Sequence, residues 1–146
     1  MKITALGSLI VVSLLILPST AEAQMQQGQI GLAIADTVID AGDTLSMHVT
    51  NVDAQSPVFL VLSQTQGSTG MGGITLGVQP PFVFKMVGIA GTTGQLQLEM
   101  PFDVIPPGLA NEVFHAQIVS TKVTNGPQGP NVNLFASNVE TFRFGN

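Results

Sequence analysis

The chain has no cysteine, no tryptophan and no tyrosine among its 146 residues. Without cysteine it can form neither a disulfide nor a lipid-modified N-terminal cysteine, so its fold must rest on a hydrophobic core alone. Without tryptophan and tyrosine it lacks the side chains on which carbohydrate-binding sandwiches stack sugar rings. All of its aromatic side chains other than histidine belong to eight phenylalanines.

Charged residues are also scarce. Four lysines and arginines oppose nine aspartates and glutamates, and charged residues make up 9% of the chain, against about a quarter in an average protein. Nucleic-acid binding needs clustered cations that displace counterions from phosphates, and an anionic membrane surface needs them too. The composition excludes both as partners. A surface of neutral amides and hydroxyls repels its own copies weakly, which favours self-association.

The first 23 residues have the pattern of a secretory signal peptide. Lys2 precedes an uncharged apolar run over residues 3–17, and Ala21 and Ala23 supply the small residues that signal peptidase requires. The run is shorter than the ~20 residues that cross a bilayer as a helix. We therefore expect a secreted or extracytoplasmic protein, in the periplasm, at the cell surface or in the medium. Residues 24–146 are predicted to form one domain with no membrane span and no lipid anchor.

Hydrophobic and polar residues alternate along this domain, as they do in half-buried β-strands. Leu45, Met47 and Val49 share one face of a predicted strand, and Phe114 lies on the core face of another over residues 112–121. Proline or glycine interrupts the chain too often for helices. The pattern predicts an all-β, two-sheet antiparallel sandwich of immunoglobulin-like size with roughly seven to nine strands. A jelly roll or a small closed barrel is the alternative.

Several segments carry more specific expectations. Residues 29–39 read as one strand, and residues 58–62, apolar on both faces, read as a strand covered on both sides or one that also supplies an interface. Residues 64–73, rich in Ser, Thr, Gly and Gln, read as a mobile loop. Pro80-Pro81 is predicted to end a short strand. Residues 82–87 predict another strand, with its two phenylalanines and its methionine on one face.

Neither histidine is part of a catalytic or metal-binding pattern. The chain has no G-x-S-x-G nucleophile motif and no H-x-H or H-E-x-x-H spacing. His48 and His115 are both predicted on outward strand faces, as solvated or cross-strand polar residues. A zinc site would need further ligands close to them. No catalytic, cofactor-binding or metal-binding residue is predicted, and no cofactor.

The carboxylates offer two weak clusters. Asp36, Asp40 and Asp43 lie close together without the D-x-D-x-D-G spacing of a calcium loop, and they are predicted to form turns. A weak calcium site near them stays open. Glu99 and Asp103 form the second cluster. An enzyme of the paired-carboxylate type would have to draw on these acids.

Turn and core positions over residues 42–145 carry a resemblance. Their pattern resembles small exported bacterial β-sandwich proteins of unknown function, which stand alone or form C-terminal domains. The resemblance implies a fold and an extracytoplasmic location, but no activity and no site residues. The segments that carry it are Gly42-Asp43-Thr44-Leu45, Pro57-Val58-Phe59-Leu60-Val61-Leu62-Ser63, the G-x-x-G-x-L-x-L step over residues 91–98, Pro107-Gly108-Leu109, Phe114-His115-Ala116-Gln117 and Asn138-Val139-Glu140-Thr141.

Three functions remain open on these grounds. The sequence favours an exported, non-catalytic structural or protein-interaction module, with a protein partner or itself as the partner. Residues 58–62 and 64–73 are the expected contact segments, through edge-strand pairing or face packing. The alternative is an extracellular domain that binds a glycan or a small molecule. An enzyme is the least favoured.

Overall fold

The chain is built from β-strands. The computed structural model describes residues 29–146, so the predicted signal peptide lies outside the described residues. Within that range there are nine strands and no helix, which confirms the all-β prediction. The strands are β1 (Gly31–Ile34), β2 (Val38–Ile39), β3 (Thr44–Thr50), β4 (Pro57–Met71), β5 (Ile74–Ile89), β6 (Leu96–Pro101), β7 (Val113–Gly126), β8 (Gly129–Ala136) and β9 (Glu140–Phe144).

The strands form two sheets. The smaller sheet has the order β1-β3-β6, and the larger has the order β2-β9-β7-β4-β5, with β8 paired to the far end of β7. Neighbours are antiparallel, apart from β2, which runs parallel to β9. The inner faces of the two sheets enclose the first core. The predicted sandwich is therefore present.

The two-residue alternation predicts this first core well. Leu45, Met47 and Val49 are buried in β3, and the exposed His48 lies between two of them. Phe114 of β7 is partly buried and packs against the same core. Because successive side chains of a strand point to opposite faces, one correctly placed residue sets the register of the whole strand.

The run over residues 29–39 is not one strand. It divides into β1, which pairs with β3 in the smaller sheet, and β2, which pairs with β9 in the larger sheet. Residues 35–37 lie between them outside any strand. Alternation predicts that a segment is extended, but it carries no information about which sheet the segment joins. The single-strand prediction was wrong for that reason.

The predicted mobile loop over residues 64–73 is also wrong, because this segment continues β4 to the tip of a long hairpin. β4 and β5 pair as far as Met71 and Ile74. Between them Gly72 and Gly73 have φ of 56° and 86°, the two positive values that a tight hairpin turn requires. The Gly-Gly pair was the available signal for this turn, and the polar composition around it concealed the strands.

Pro80-Pro81 does not end β5. The two prolines lie opposite a register shift between Ser63 and Thr65 of β4, where the ladder is already interrupted. A proline at such an irregularity removes no ladder hydrogen bond. The buried Ser63 hydroxyl occupies the bend instead, donating to the Gln79 carbonyl at 2.5 Å and accepting from the Thr65 N–H at 3.0 Å.

Beyond this bend the hairpin folds back over its own sheet and makes a third layer. Leu76 and Val78 of β5 are fully buried against Val61 of β4 and Val119 of β7, and these four residues form a second core on the outer face of the larger sheet. Gln117 of β7 connects the layers, because its side-chain oxygen accepts from the Gly77 N–H at 2.9 Å.

This third layer explains the doubly apolar segment over residues 58–62. Val58 and Leu60 point into the first core, while Phe59 and Val61 point into the second. The expectation of a strand covered on both sides is confirmed. The cover is the distal half of the chain's own hairpin.

Candidate functional site

One long side of the sandwich is closed by specific polar contacts. The Asn138 side chain accepts from the Leu32 N–H and donates to the Leu32 carbonyl, both at 2.9 Å. The amide thus copies the pairing of a neighbouring strand. Ile30 forms a parallel bridge with Ser137 beside it. These contacts tie β1 of the smaller sheet to the chain between β8 and β9.

The opposite side of the sandwich is open. β6 ends the smaller sheet and β5 ends the larger, and within residues 29–146 no strand pairs with the outer edge of either. A groove of about 250 Å³ runs between them, lined by Lys85, Val87, Leu98 and Glu99 among others. The open side therefore presents two unpaired strand edges next to each other.

The edge of β5 is unusually apolar. Val83, Phe84, Met86 and Ile89 are 60%, 43%, 47% and 58% exposed. Natural proteins usually protect such edges with charge, proline or a bulge. Here Lys85 is the one charged residue over positions 82–89.

The Phe84 ring is held in place by an aromatic ring of the neighbouring strand β4. It stacks on the Phe59 ring at a centroid distance of 5.2 Å, with the two planes 21° apart. This contact supports the ring against β4 while part of its surface stays in solvent. A ring fixed before binding loses little rotamer entropy when a partner covers it.

An apolar cavity of about 350 Å³ adjoins the start of this edge. Phe82 and Val83 of β5 form one wall, and Leu109 and Phe114 form another. Strand-addition sites commonly combine a free edge with such side-chain pockets. The cavity and the edge of β5 together are the candidate functional site.

The two predicted histidine positions are on opposite outer surfaces. His48 lies on the outward face of the smaller sheet, with its ring nitrogen 3.3 Å from the Gln95 side-chain oxygen. His115 lies on the outer face of the larger sheet, with its ring nitrogen 2.9 Å from the Thr141 hydroxyl. The sandwich separates them, so the two histidines do not share a site.

The carboxylates are dispersed as well. Asp40 and Asp43 build a turn, in which the Asp43 carboxylate accepts from the Asp40 N–H at 2.9 Å. Asp36 and Asp103 are exposed outside the strands, and Glu99 is exposed on β6. Among residues 29–146 no three histidine, aspartate or glutamate side chains are grouped to hold a metal ion. The same range contains no helix able to cross a membrane.

The two segments predicted to contact a partner differ in accessibility. Residues 58–62 are covered by both cores, whereas residues 64–73 form the folded-back hairpin, where most residues are exposed. The exposed apolar stretch of β5 contains the strand predicted over residues 82–87, but the sequence did not predict that this strand lies at a sheet edge. Edge position depends on the order of strands in the sheet, which alternation does not report. An apolar stripe with only one lysine beside it was the sequence signal that could have pointed there.

Comparison with known proteins adds little. No protein-family model matches the chain, and no curated protein matches it. Among solved structures, the sporulation control protein Spo0M from Bacillus subtilis shares 9% sequence identity at a TM-score of 0.31. The match covers 81% of this chain and 49% of Spo0M, so the chain spans about half the length of that protein. At this TM-score the likeness carries no inference about function.

Proposed function

We propose that the chain is an exported, non-catalytic protein-interaction module that binds its partner by strand addition to β5. The observation that carries the proposal is the exposed apolar edge over residues 82–89. An unpaired edge offers backbone N–H and C=O groups in a row, and another extended chain satisfies them best. The partner is therefore an extended protein segment with apolar side chains on at least one face.

The cavity beside the edge supports the same function. A strand added along β5 places every second side chain on the face where Val83 borders the cavity. One of these side chains can enter the cavity, which Leu109 and Phe114 also line. In strand addition the main-chain bonds supply affinity and such pockets supply selectivity.

The non-catalytic and exported parts of the proposal have separate supports. The histidines lie on opposite faces, and the Asp40–Asp43 pair forms a turn. Neither arrangement provides a nucleophile with its base or a carboxylate pair in a cleft. Export is supported by the signal-peptide pattern over residues 1–23.

Site-specific crosslinking tests the proposal. Because the chain has no cysteine of its own, an introduced cysteine is its single attachment point for the crosslinker. Val83→Cys, coupled to a photo-activated crosslinker, is incubated with the medium of the producing cells. Val132→Cys is the matched control, because Val132 is 66% exposed on β8, away from the edge of β5. We expect mass spectrometry to find one extended segment attached at position 83. Equal attachment at both positions, or none at 83, would refute binding at β5.

Binding of a small apolar molecule is the second candidate, favoured by the cavity between Phe82 and Leu109. The glycan version has no comparable support, because the chain lacks tryptophan and tyrosine. Organic extraction of the purified chain followed by mass spectrometry distinguishes the two candidates. A stoichiometric apolar compound that disappears in Leu109→Arg would favour the small-molecule function over strand addition.

A further inference from the structure

We propose that the strand added to β5 is β5 of a second copy of this chain, antiparallel, about a two-fold axis at Phe84. The inference rests on the proposed function, because it names the occupant of the same edge. A two-fold axis perpendicular to a sheet pairs two copies of one strand in antiparallel fashion and places the same face of both outward. The edge of β5 has the length, the side-chain order and the charge placement that this arrangement needs.

The regular part of the edge determines where the axis lies. Pro81 has no N–H to donate at one end. At the other end Val87 is left without a partner, because Phe59 pairs with Met86 and Val58 pairs with Gly88. Residues 82–86 are the uninterrupted stretch between these irregularities. Self-pairing that uses all of this stretch is centred on its middle residue, Phe84.

The side chains are self-complementary in this register. Phe84 lies opposite the partner's Phe84, and Phe82 lies opposite the partner's Met86. These are the apolar residues of the outer face, so an apolar stripe meets an apolar stripe. Aromatic and aromatic–aliphatic pairs across neighbouring strands contribute roughly 0.2–1 kcal/mol each.

The only charge on this stretch is accommodated too. Lys85 lies opposite the partner's Val83, where its aliphatic stem covers an exposed apolar side chain. An axis at Lys85 would place two ammonium groups directly opposite each other, which destabilises strand pairing. A lysine on a strand edge can also block association, and Lys85 would have that role if the protein were monomeric.

The interface is small, because five residues per copy bury less than the ~1,200 Å² of a standard stable complex. We therefore expect a dimer that forms at roughly 0.1 mM rather than in the nanomolar range. Sedimentation equilibrium of the purified wild-type chain over ~0.01–1 mM covers this range. A rising weight-average mass that reaches a dimer supports the proposal. A constant monomer mass overturns it.

Disulfide trapping tests the register. Opposite residues of an antiparallel pair have Cα atoms about 4.5–5.5 Å apart, within the range that a disulfide spans. Phe84→Cys is therefore expected to yield at least about tenfold more covalent dimer under mild oxidation than the Val132→Cys control. Met86→Cys alone is expected to yield little, because the two copies of residue 86 lie about 13 Å apart along the strand.

A mixture of Phe82→Cys and Met86→Cys chains keeps the test independent of Phe84, whose ring also supports the fold. This mixture is expected to crosslink where each variant alone does not. Dimer trapping by Met86→Cys alone at the level of Phe84→Cys would refute the register. A monomeric wild-type chain that still captures a foreign strand at position 83 would end self-pairing and leave the proposed function standing. A monomeric wild-type chain that also captures no strand at position 83 would refute both self-pairing and the proposed function.

Discussion

Truncation of Leu76 tests whether the β4–β5 hairpin is truly a third layer. Leu76 is fully buried between the hairpin and the outer face of the larger sheet. Leu76→Ala removes three carbon atoms from this second core, and about 0.8 kcal/mol per buried carbon gives ~2.4 kcal/mol. The cavity left behind adds to this, so we expect a loss of about 3 kcal/mol in the free energy of unfolding. For a domain of this size that corresponds to roughly 10 °C in Tm.

Thr75→Ala is the matched control. Thr75 precedes Leu76 on the same strand, but its side chain is exposed. An exposed substitution of this kind changes stability by less than about 0.5 kcal/mol. Differential scanning calorimetry measures both variants. Hydrogen exchange adds a local readout, because a hairpin weakened by ~3 kcal/mol opens roughly 100-fold more often.

The refuting result is equality of the two variants. Leu76→Ala and Thr75→Ala with the same Tm, and the same amide exchange over residues 65–80, would show that the hairpin does not pack on the sheet. The polar composition of residues 64–73 would then describe a mobile loop after all. The double coverage of residues 58–62 would need another explanation.

Three further predictions concern the first core and the contacts that close the molecule. Phe114→Ala is expected to cost about 3 kcal/mol and His48→Ala under 0.5 kcal/mol by chemical denaturation, and equal midpoints would show that the strand registers are wrong. Asn138→Ala removes both hydrogen bonds to β1 and is expected to cost about 1–3 kcal/mol, with faster amide exchange in β1 as the specific signature. Gly77→Ala places its new carbon 2.6 Å from the Val139 side chain, so we expect a loss of about 1–3 kcal/mol. Val139→Ala should restore part of this loss in a double-mutant cycle, and strict additivity would contradict the close approach.

The first core was accessible from sequence because its signal is local. In β3 the residues Leu45, Met47 and Val49 alternate with polar ones, and only one arrangement buries all three. The same logic places Phe142 and Phe144 of β9 in the core, where both are buried. For these two strands, the presence of the strand and the face that it buries follow from the two-residue period.

The third layer could not be predicted from the sequence, because the residues that form its core lie in distant segments of the chain. Leu76 and Val78 look like the ends of a short, weak strand until Val61 and Val119 are known to need cover. The bend depends on one buried hydroxyl, that of Ser63, and no sequence pattern marks a serine for that role. The composition of residues 64–73 does not separate a loop from a hairpin, since glycine and threonine are common in both.

The candidate site was accessible only in part. The apolar stripe through Phe82 and Phe84 was visible in the sequence, but its exposure depends on β5 being the last strand of its sheet. The cavity beside it needs Leu109 from a loop and Phe114 from β7, which lie far from the stripe in sequence. Local patterns identify strands, whereas sites at sheet margins depend on strand order.

The folded-back part of the hairpin can unfold separately from the two facing sheets. The pairing of β4 with β7 runs over residues 58–63 and includes nothing from the hairpin tip. The two facing sheets can therefore persist while the tip lifts away, and this would uncover Val61 and Val119 in an otherwise native protein. Heat or mild denaturant is thus expected to populate a partly unfolded, aggregation-prone species before the two sheets unfold. The docking of this one hairpin on the larger sheet therefore protects the native protein against aggregation through its second core.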